Sequence, residues 1–186
     1  MVSEQGGLTL IESIAAAVVL AAVIIVLSRL SSSLRRQAVD LDRTWSDLQV
    51  LLKRRSDDLP RLVQTCRSYM EEEQEILKKV MQARAASLNA KTVEKSASAD
   101  AALRAALEVL LKRAVDFPEL KNSAAFSRLH ESLVETCERI EEGREFFNES
   151  VRRFNLRLNR PPASWLSQAM KLPHWPLFES SKAESA

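Results

Sequence analysis

The chain has 186 residues with 27 Lys and Arg against 25 Asp and Glu, a formal net charge of +2 that argues against an electrostatic grip on nucleic acid or another acidic polymer. Its 46% hydrophobic content is ample for a core, while 3 Gly and 5% aromatic residues beside abundant Leu, Ala, Glu, Arg and Lys exclude a sheet-rich domain. Ala and straight-chain residues lose least on entering a helix, so the expected class is all-α, and what remains beyond an apolar N-terminal stretch has the size of one domain.

That stretch runs from Leu8 to Leu27, and from Ile14 to Leu27 it carries no polar side chain. Roughly 20 residues at about 1.5 Å rise cross the ~30 Å hydrocarbon layer, so residues 8–30 read as a transmembrane helix behind a short leader, residues 1–7. Glu12 lies about one turn from the N-terminal end, where a carboxylate reaches headgroups instead of hydrocarbon; at the bilayer centre it would cost about 2.5–3.5 kcal/mol. No Lys or Arg precedes the segment, whereas Arg29, Arg35, Arg36 and Arg43 follow it. The positive-inside rule then gives a single-pass protein of the cytoplasmic (inner) membrane, N-terminus outside, with the lipid bilayer as a partner through residues 8–30. A cleaved secretory signal fits poorly, since the basic n-region is missing and the apolar core is long. The run Gly7-Leu8-Thr9-Leu10-Ile11-Glu12 also resembles the start of type IV pilins and would imply a pilin-like subunit processed after Gly7; the acidic leader and the basic residues on the far side stand against it.

From Leu34 the apolar positions step by three and four through Ala38, Leu41, Trp45, Leu48 and Leu52, a helix with one buried stripe. Ser31-Ser32-Ser33 is polar yet compatible with helix, which leaves open whether the anchor continues into it. Ser56-Asp57-Asp58-Leu59-Pro60 predicts a turn or sharp kink, because proline lacks an N–H and pushes its predecessor out of the helical region. A second helix follows on Leu59, Leu62, Val63, Cys66, Tyr69, Met70, Ile76, Leu77 and Val80 to about Leu88, with Glu71-Glu72-Glu73 as a solvated face in its middle. Asn89–Asp100, NAKTVEKSASAD, loses periodicity and reads as a loop. A third helix carries Leu103, Leu107, Leu110, Leu111, Ala114 and Phe117 until Pro118 stops it, and residues 116–123 connect it to the next.

The fourth helix is the most regular: Phe126, Leu129, Leu133, Cys137, Ile140, Arg144, Phe147, Val151, Phe154 and Leu158 keep a coiled-coil-like repeat over about four heptads. Its one break, Arg144 beside Gly143, marks a close helix approach or a charge leaving the core. Pro161-Pro162 ends it, so residues 34–160 form the helical domain and residues 161–186 a tail. The tail mixes Trp165, Leu166, Met170, Leu172, Trp175, Leu177 and Phe178 with Pro173 and Pro176, and a short helix fits Ser164–Lys171. Two destinations stay open for it: packing back on the bundle, or lying at the membrane surface, where Trp beside Lys is a common composition.

Patterns that carry chemistry fail in turn. His130-Glu131-Ser132-Leu133-Val134 begins like a zinc-protease HExxH, but Val134 stands where the second imidazole must be. His130 and His174 are the only histidines, too few for a di-iron bundle, and glycine is too scarce for a phosphate loop. The expectation is a non-enzyme with no catalytic residue, metal, cofactor or small-molecule substrate. Cys66 and Cys137 fall on apolar stripes and read as buried free thiols in a reducing compartment, and Lys53-Arg54-Arg55 reads as a solvated basic face.

Several stretches in one order are similar to the LemA family: Thr44-Trp45-Ser46-Asp47-Leu48-Gln49, then Lys53-Arg54-Arg55, Leu59-Pro60-Arg61-Leu62-Val63 and Tyr69. Further on come Phe117-Pro118-Glu119-Leu120-Lys121, Phe126, Glu138-Arg139-Ile140, Arg144, Phe146-Phe147-Asn148, Val151, Phe154-Asn155 and the aromatic-Pro ending Trp175-Pro176-Leu177-Phe178-Glu179. The likeness covers about residues 8–179; Arg61 and Ser56 depart from the Asn and Tyr usual there. The resemblance implies a membrane-anchored antiparallel four-helix bundle with its N-terminus outside and no agreed enzymatic activity. Relatives are linked to envelope or magnetosome membrane organisation, often beside membrane proteases, and no catalytic residues carry over. The reading is a scaffold or interaction protein with unknown protein partners, membrane proteins or self among them. Its candidate surface is Trp45, Asp47, Lys53, Arg54, Arg55, Asn148, Trp165 and Trp175, although Trp45 reads first as a core residue. The alternative is a bilayer-organising or envelope-shaping protein acting through the Trp-rich tail.

Overall fold

A computed structural model describes residues 3–179, and side chains from residue 15 onward. Residues 1–2 of the leader, the Glu12 side chain and residues 180–186 of the tail lie outside the described residues. The described residues contain no strand: α1 spans Ser3–Arg67, a 3-10 turn Glu71–Glu73, α2 Gln74–Asn89, α3 Val93–Ala114, α4 Pro118–Lys121, α5 Ala124–Leu158 and α6 Ala163–Ala169.

The 65 residues of α1 form one uninterrupted helix, so the apolar stretch and the first soluble helix are continuous. Ser31 and Ser32 remain inside it by donating their hydroxyls to the Ser28 carbonyl, each at 2.9 Å, a local bond that satisfies a serine within helix. The turn expected at Pro60 is absent, and the helix runs through the proline without a break. Pro60 has no N–H to give the carbonyl of Ser56, four residues back, but Arg84 of α2 donates its Nε–H to that same oxygen at 2.6 Å. A donor from another helix thus replaces the missing backbone one, while buried Leu59, Leu62, Val63 and Cys66 hold the last turns.

Helix α1 ends after Arg67, where the N–H groups of Tyr69 and Met70 both donate to the Cys66 carbonyl at 3.0 and 2.9 Å. The expected second helix is therefore split, and Glu71-Glu72-Glu73 is a 3-10 turn ahead of α2 instead of the middle of a helix. Three consecutive carboxylates point to different sides of a helix, and just before a helix N-terminus, whose partial charge is positive, they are favoured.

Residues 93–100, expected as loop, are the first turns of α3. Thr92 caps them by accepting from the Lys95 N–H at 3.3 Å, and Val93, Ser96, Ala97 and Asp100 are buried. Their small side chains make no apolar stripe, yet they allow close packing, and α2 and α3 lie against each other. Helix α3 stops at Ala114, and Pro118 opens α4 at a position where its missing N–H is not needed. Along α5, a Cβ on Gly143 would sit 3.4 Å from Leu48 Cδ1, so this glycine lies where α1 and α5 approach closely.

The chain divides into two compact units. One joins residues 41–153 with the chain from Trp175. Its core includes Leu59, Leu62, Val63, Cys66, Met70, Leu77, Val80, Leu103, Leu107, Leu110, Leu120, Phe126 and Leu133, with Cys137 half-buried against it. Both cysteines are free thiols, and burial pushes Cys66 up to about 11. The other unit joins the chain up to Asp40 with Phe154–His174. There Leu34, Phe154, Leu158 and Ala163 are buried, Arg157 donates to the Ser33 hydroxyl at 3.1 Å, and His174 and Asn159 meet at 3.1 Å.

Candidate functional site

Helical spacing puts Leu41, Trp45, Leu48 and Leu52 on one face of α1 and Ile140, Phe147 and Val151 on one face of α5. Where these faces meet, the Trp45 and Phe147 rings lie 5.5 Å apart at 44°. The tail segment Trp175–Phe178 has no regular secondary structure and settles on this pair. Phe178 is buried with its ring 6.0 Å from Trp45, and Trp175 meets Phe147 edge-on at 6.2 Å. Tilted and edge-on ring pairs add to the stabilisation that burial alone gives.

Asn148, the next residue on α5, fixes the tail through its backbone. Its Oδ1 accepts from the Phe178 N–H at 2.7 Å and its Nδ2–H donates to the Phe178 carbonyl at 3.4 Å. Both amide functions are used, which a buried asparagine needs. One turn further along α5, Arg152 pairs with Glu179 at 3.1 Å. Trp45, Phe147, Asn148 and Arg152 therefore make a groove that holds a segment without helix or strand, bent at Phe178, by an aromatic pocket, a backbone-reading amide and a cation.

Beside it is a cleft of about 200 Å³ lined by Ala97, Asp100, Ala101, Arg104, Ala105 and Glu108 of α3, together with Arg144 and Phe178. Glu141 is bonded by Arg104 at 2.5 Å and by Arg144. Burial works to raise the Glu141 carboxyl, but the hydrogen bond and charge of Arg104, with the charge of Arg144, outweigh it and hold the group below its ordinary 4.5. The same hydrogen bond moves Arg104 upward. At the cleft, Asp100 pairs with Arg55 of α1 at 2.5 Å, with the two side chains 5% and 1% exposed. Arg55 Nε finds no acceptor among the described residues.

Three of the sequence-derived surface residues, Trp45, Asn148 and Trp175, come together in the groove, with Trp45 serving as core. Arg55 is interior, so the Lys53-Arg54-Arg55 run is not one exposed face. Lys53 and Arg54 are exposed, Lys53 pairing with Asp57 at 2.9 Å, and Asp47 is exposed on the same helix. Trp165 on α6 belongs to the other unit and is 71% exposed. Phe147 belongs to the heptads and Phe178 to the tail with no spacing that pairs them, and nothing in the periodicity points to Asp100, Arg84 or Glu141. Among the described residues no group of three or more His, Cys, Asp or Glu is placed to hold a metal ion. Residues 44–186 match the model of the LemA family, and no curated protein matches the chain.

Proposed function

The chain belongs to the LemA family, and we propose that it is a membrane-anchored helical-bundle protein without catalytic activity, a scaffold for other proteins at the cytoplasmic membrane. The observation that carries this reading is the head of α1: Val18, Val19, Leu20, Val23, Ile24, Ile25, Val26 and Leu27 are all exposed, at the end of a helix that is buried against its neighbours further along. Each such side chain gains about 1.5–3 kcal/mol on leaving water, and a bilayer takes all of them at once. The basic residues that follow favour an outside N-terminus and a cytoplasmic domain. Helices α1, α2, α3 and α5 are proposed to form an antiparallel four-helix bundle; the short connections, the α1–α5 ring contacts and the packing of α2 on α3 support it.

Crosslinking in intact membranes with identification of the products tests the scaffold. Reproducible partner proteins are expected, and a detergent preparation holding only monomer with no crosslinked partner refutes it. Protease added to sealed right-side-out cells should leave the region beyond Ser28 intact; digestion there overturns the topology. A second reading, an envelope-shaping protein acting on the bilayer through its tail, is favoured by the exposed Trp165, although Trp175 and Phe178 are turned into the groove. Deleting residues 164–179 without any change in membrane behaviour would dispose of it. Processing after Gly7 predicts a mature N-terminus at Leu8, which N-terminal sequencing decides.

A further inference from the structure

We propose, resting on the interaction reading above, that the groove of Trp45, Phe147, Asn148 and Arg152 is a peptide-recognition site for an aromatic-Pro-x-Phe-acidic segment, and that the tail of a second copy of this chain is its occupant in trans. In the structure the groove holds the chain's own Trp175-Pro176-Leu177-Phe178-Glu179, and the contacts are those of a ligand. The segment makes no helix or sheet of its own, and its backbone is read at one residue by the Asn148 amide, at 2.7 and 3.4 Å. Its Phe178 side chain fills an aromatic pocket, and Glu179 meets Arg152 at the rim. Proline at its second position pre-orders an extended backbone, which lowers the entropy lost on docking.

The identity of the occupant follows from the connection and from symmetry. A second copy carries the same segment, so every contact made in cis is reproduced in trans and only the local connection differs. That connection is strained where it leaves α6. Lys171 has φ 52°, among the described residues the one non-glycine in the left-handed region, held by Lys171 N–H to Gln168 O at 3.1 Å and Leu172 N–H to Ser167 O at 3.0 Å. Glycine is the usual residue at that position, and a strained hinge favours exchange of the segment it carries. Pro173 and Pro176 keep the segment from joining the helix, so release of the tail leaves it extended and able to reach another groove. Confinement to one membrane would raise the effective concentration of tails facing grooves.

The test uses the full chain in detergent. In one arm, Arg152→Cys and Glu179→Cys are placed on separate chains, mixed and oxidised; tail exchange joins them as a covalent heterodimer that neither variant forms alone. In the other, a labelled peptide of residues 173–181 is titrated into the Phe178→Ala chain, whose own tail no longer fills the pocket. Saturable binding is expected, weakened at least tenfold by adding Asn148→Leu, and excess peptide should suppress the heterodimer. No heterodimer together with no peptide binding overturns the recognition site. Peptide binding without a heterodimer overturns the second copy as occupant and assigns the groove to a partner protein bearing such a segment. Either failure leaves the crosslinking test of the scaffold to stand or fall on its own products.

Discussion

Replacing Arg84 with methionine should destabilise the helical domain by about 2 kcal/mol, although Arg84 touches neither the groove nor the cleft. The magnitude follows from one atom. The Ser56 residue is buried, its carbonyl cannot receive a bond from Pro60, and the Arg84 Nε–H at 2.6 Å is its donor. A hydrogen bond from a charged donor contributes roughly 1.5–3 kcal/mol, and a buried carbonyl left without a partner costs about 1–3 kcal/mol. Methionine retains most of the arginine stem's packing, so the loss isolates the bond. Pro60→Ala supplies the decisive control, because it returns a backbone N–H to the Ser56 carbonyl. In that background Arg84→Met should cost less than about 0.5 kcal/mol, a coupling of roughly 1.5 kcal/mol between residues that share a single acceptor. Urea unfolding of the full chain in detergent, followed by helical circular dichroism, measures all four variants. Equal losses from Arg84→Met with and without Pro60→Ala would refute the reasoning, since the arginine would then act through something other than the acceptor that proline leaves open.

Asp100→Asn should cost about 3–5 kcal/mol by leaving the Arg55 guanidinium buried without its counter-ion, while the double variant Arg55→Met, Asp100→Leu should recover most of that loss; urea midpoints decide it. Lys171→Gly should stabilise the α6 end by about 1 kcal/mol, because glycine occupies the left-handed region without a Cβ penalty, and a lower melting temperature would contradict it. The Glu141 carboxyl is held below 4.5, its ordinary value, so its pairing with Arg104 and Arg144 contributes stability that is complete above that value and is lost as pH falls through the lower folded one. Stability measured between about pH 3 and 5 should therefore fall more steeply for the native chain than for Glu141→Gln, and parallel curves would exclude the contribution.

What could be read from the sequence was whatever repeats with helical period. The α5 stripe from Phe126 to Leu158 and the α1 positions Leu41, Trp45, Leu48 and Leu52 are legible because the apolar residues follow one another three or four places on, with the one break at Arg144. The unbroken passage of helix through Pro60 was not legible, since the donor that replaces its N–H lies on another helix, 28 positions from the acceptor. The start of α3 was hidden for a different reason: Ser96, Ala97 and Asp100 are buried by close approach and by a pairing with Arg55, neither of which raises local hydropathy. Glu71-Glu72-Glu73 is tolerated within a helix and favoured just before one, and composition alone does not say where the helix begins. The tail's destination was not legible because its anchors carry no periodic signal: the Asn148 amide that accepts from and donates to the Phe178 backbone, and the rings of Trp45 and Phe147, lie far from it in the chain.

Phe178 takes part in two features at once, and this ties the tail to the interior. Its ring packs on Trp45, and it also borders the cleft that reaches Asp100 and Arg104. The Arg55–Asp100 attraction is strong only while water is kept away, because Coulomb energy falls as the local dielectric rises, and a buried pair recovers its desolvation cost only with good geometry and few vacant polar atoms. Arg55 Nε already lacks an acceptor among the described residues. When Phe178 leaves, the cleft beside Asp100 opens to solvent, the attraction weakens, and the ions are partly rehydrated in exchange. Tail docking and the polar core are therefore coupled through one aromatic side chain, so a segment that enters the groove from another chain must bring a ring to the same place before the ion pair behind it regains its full strength.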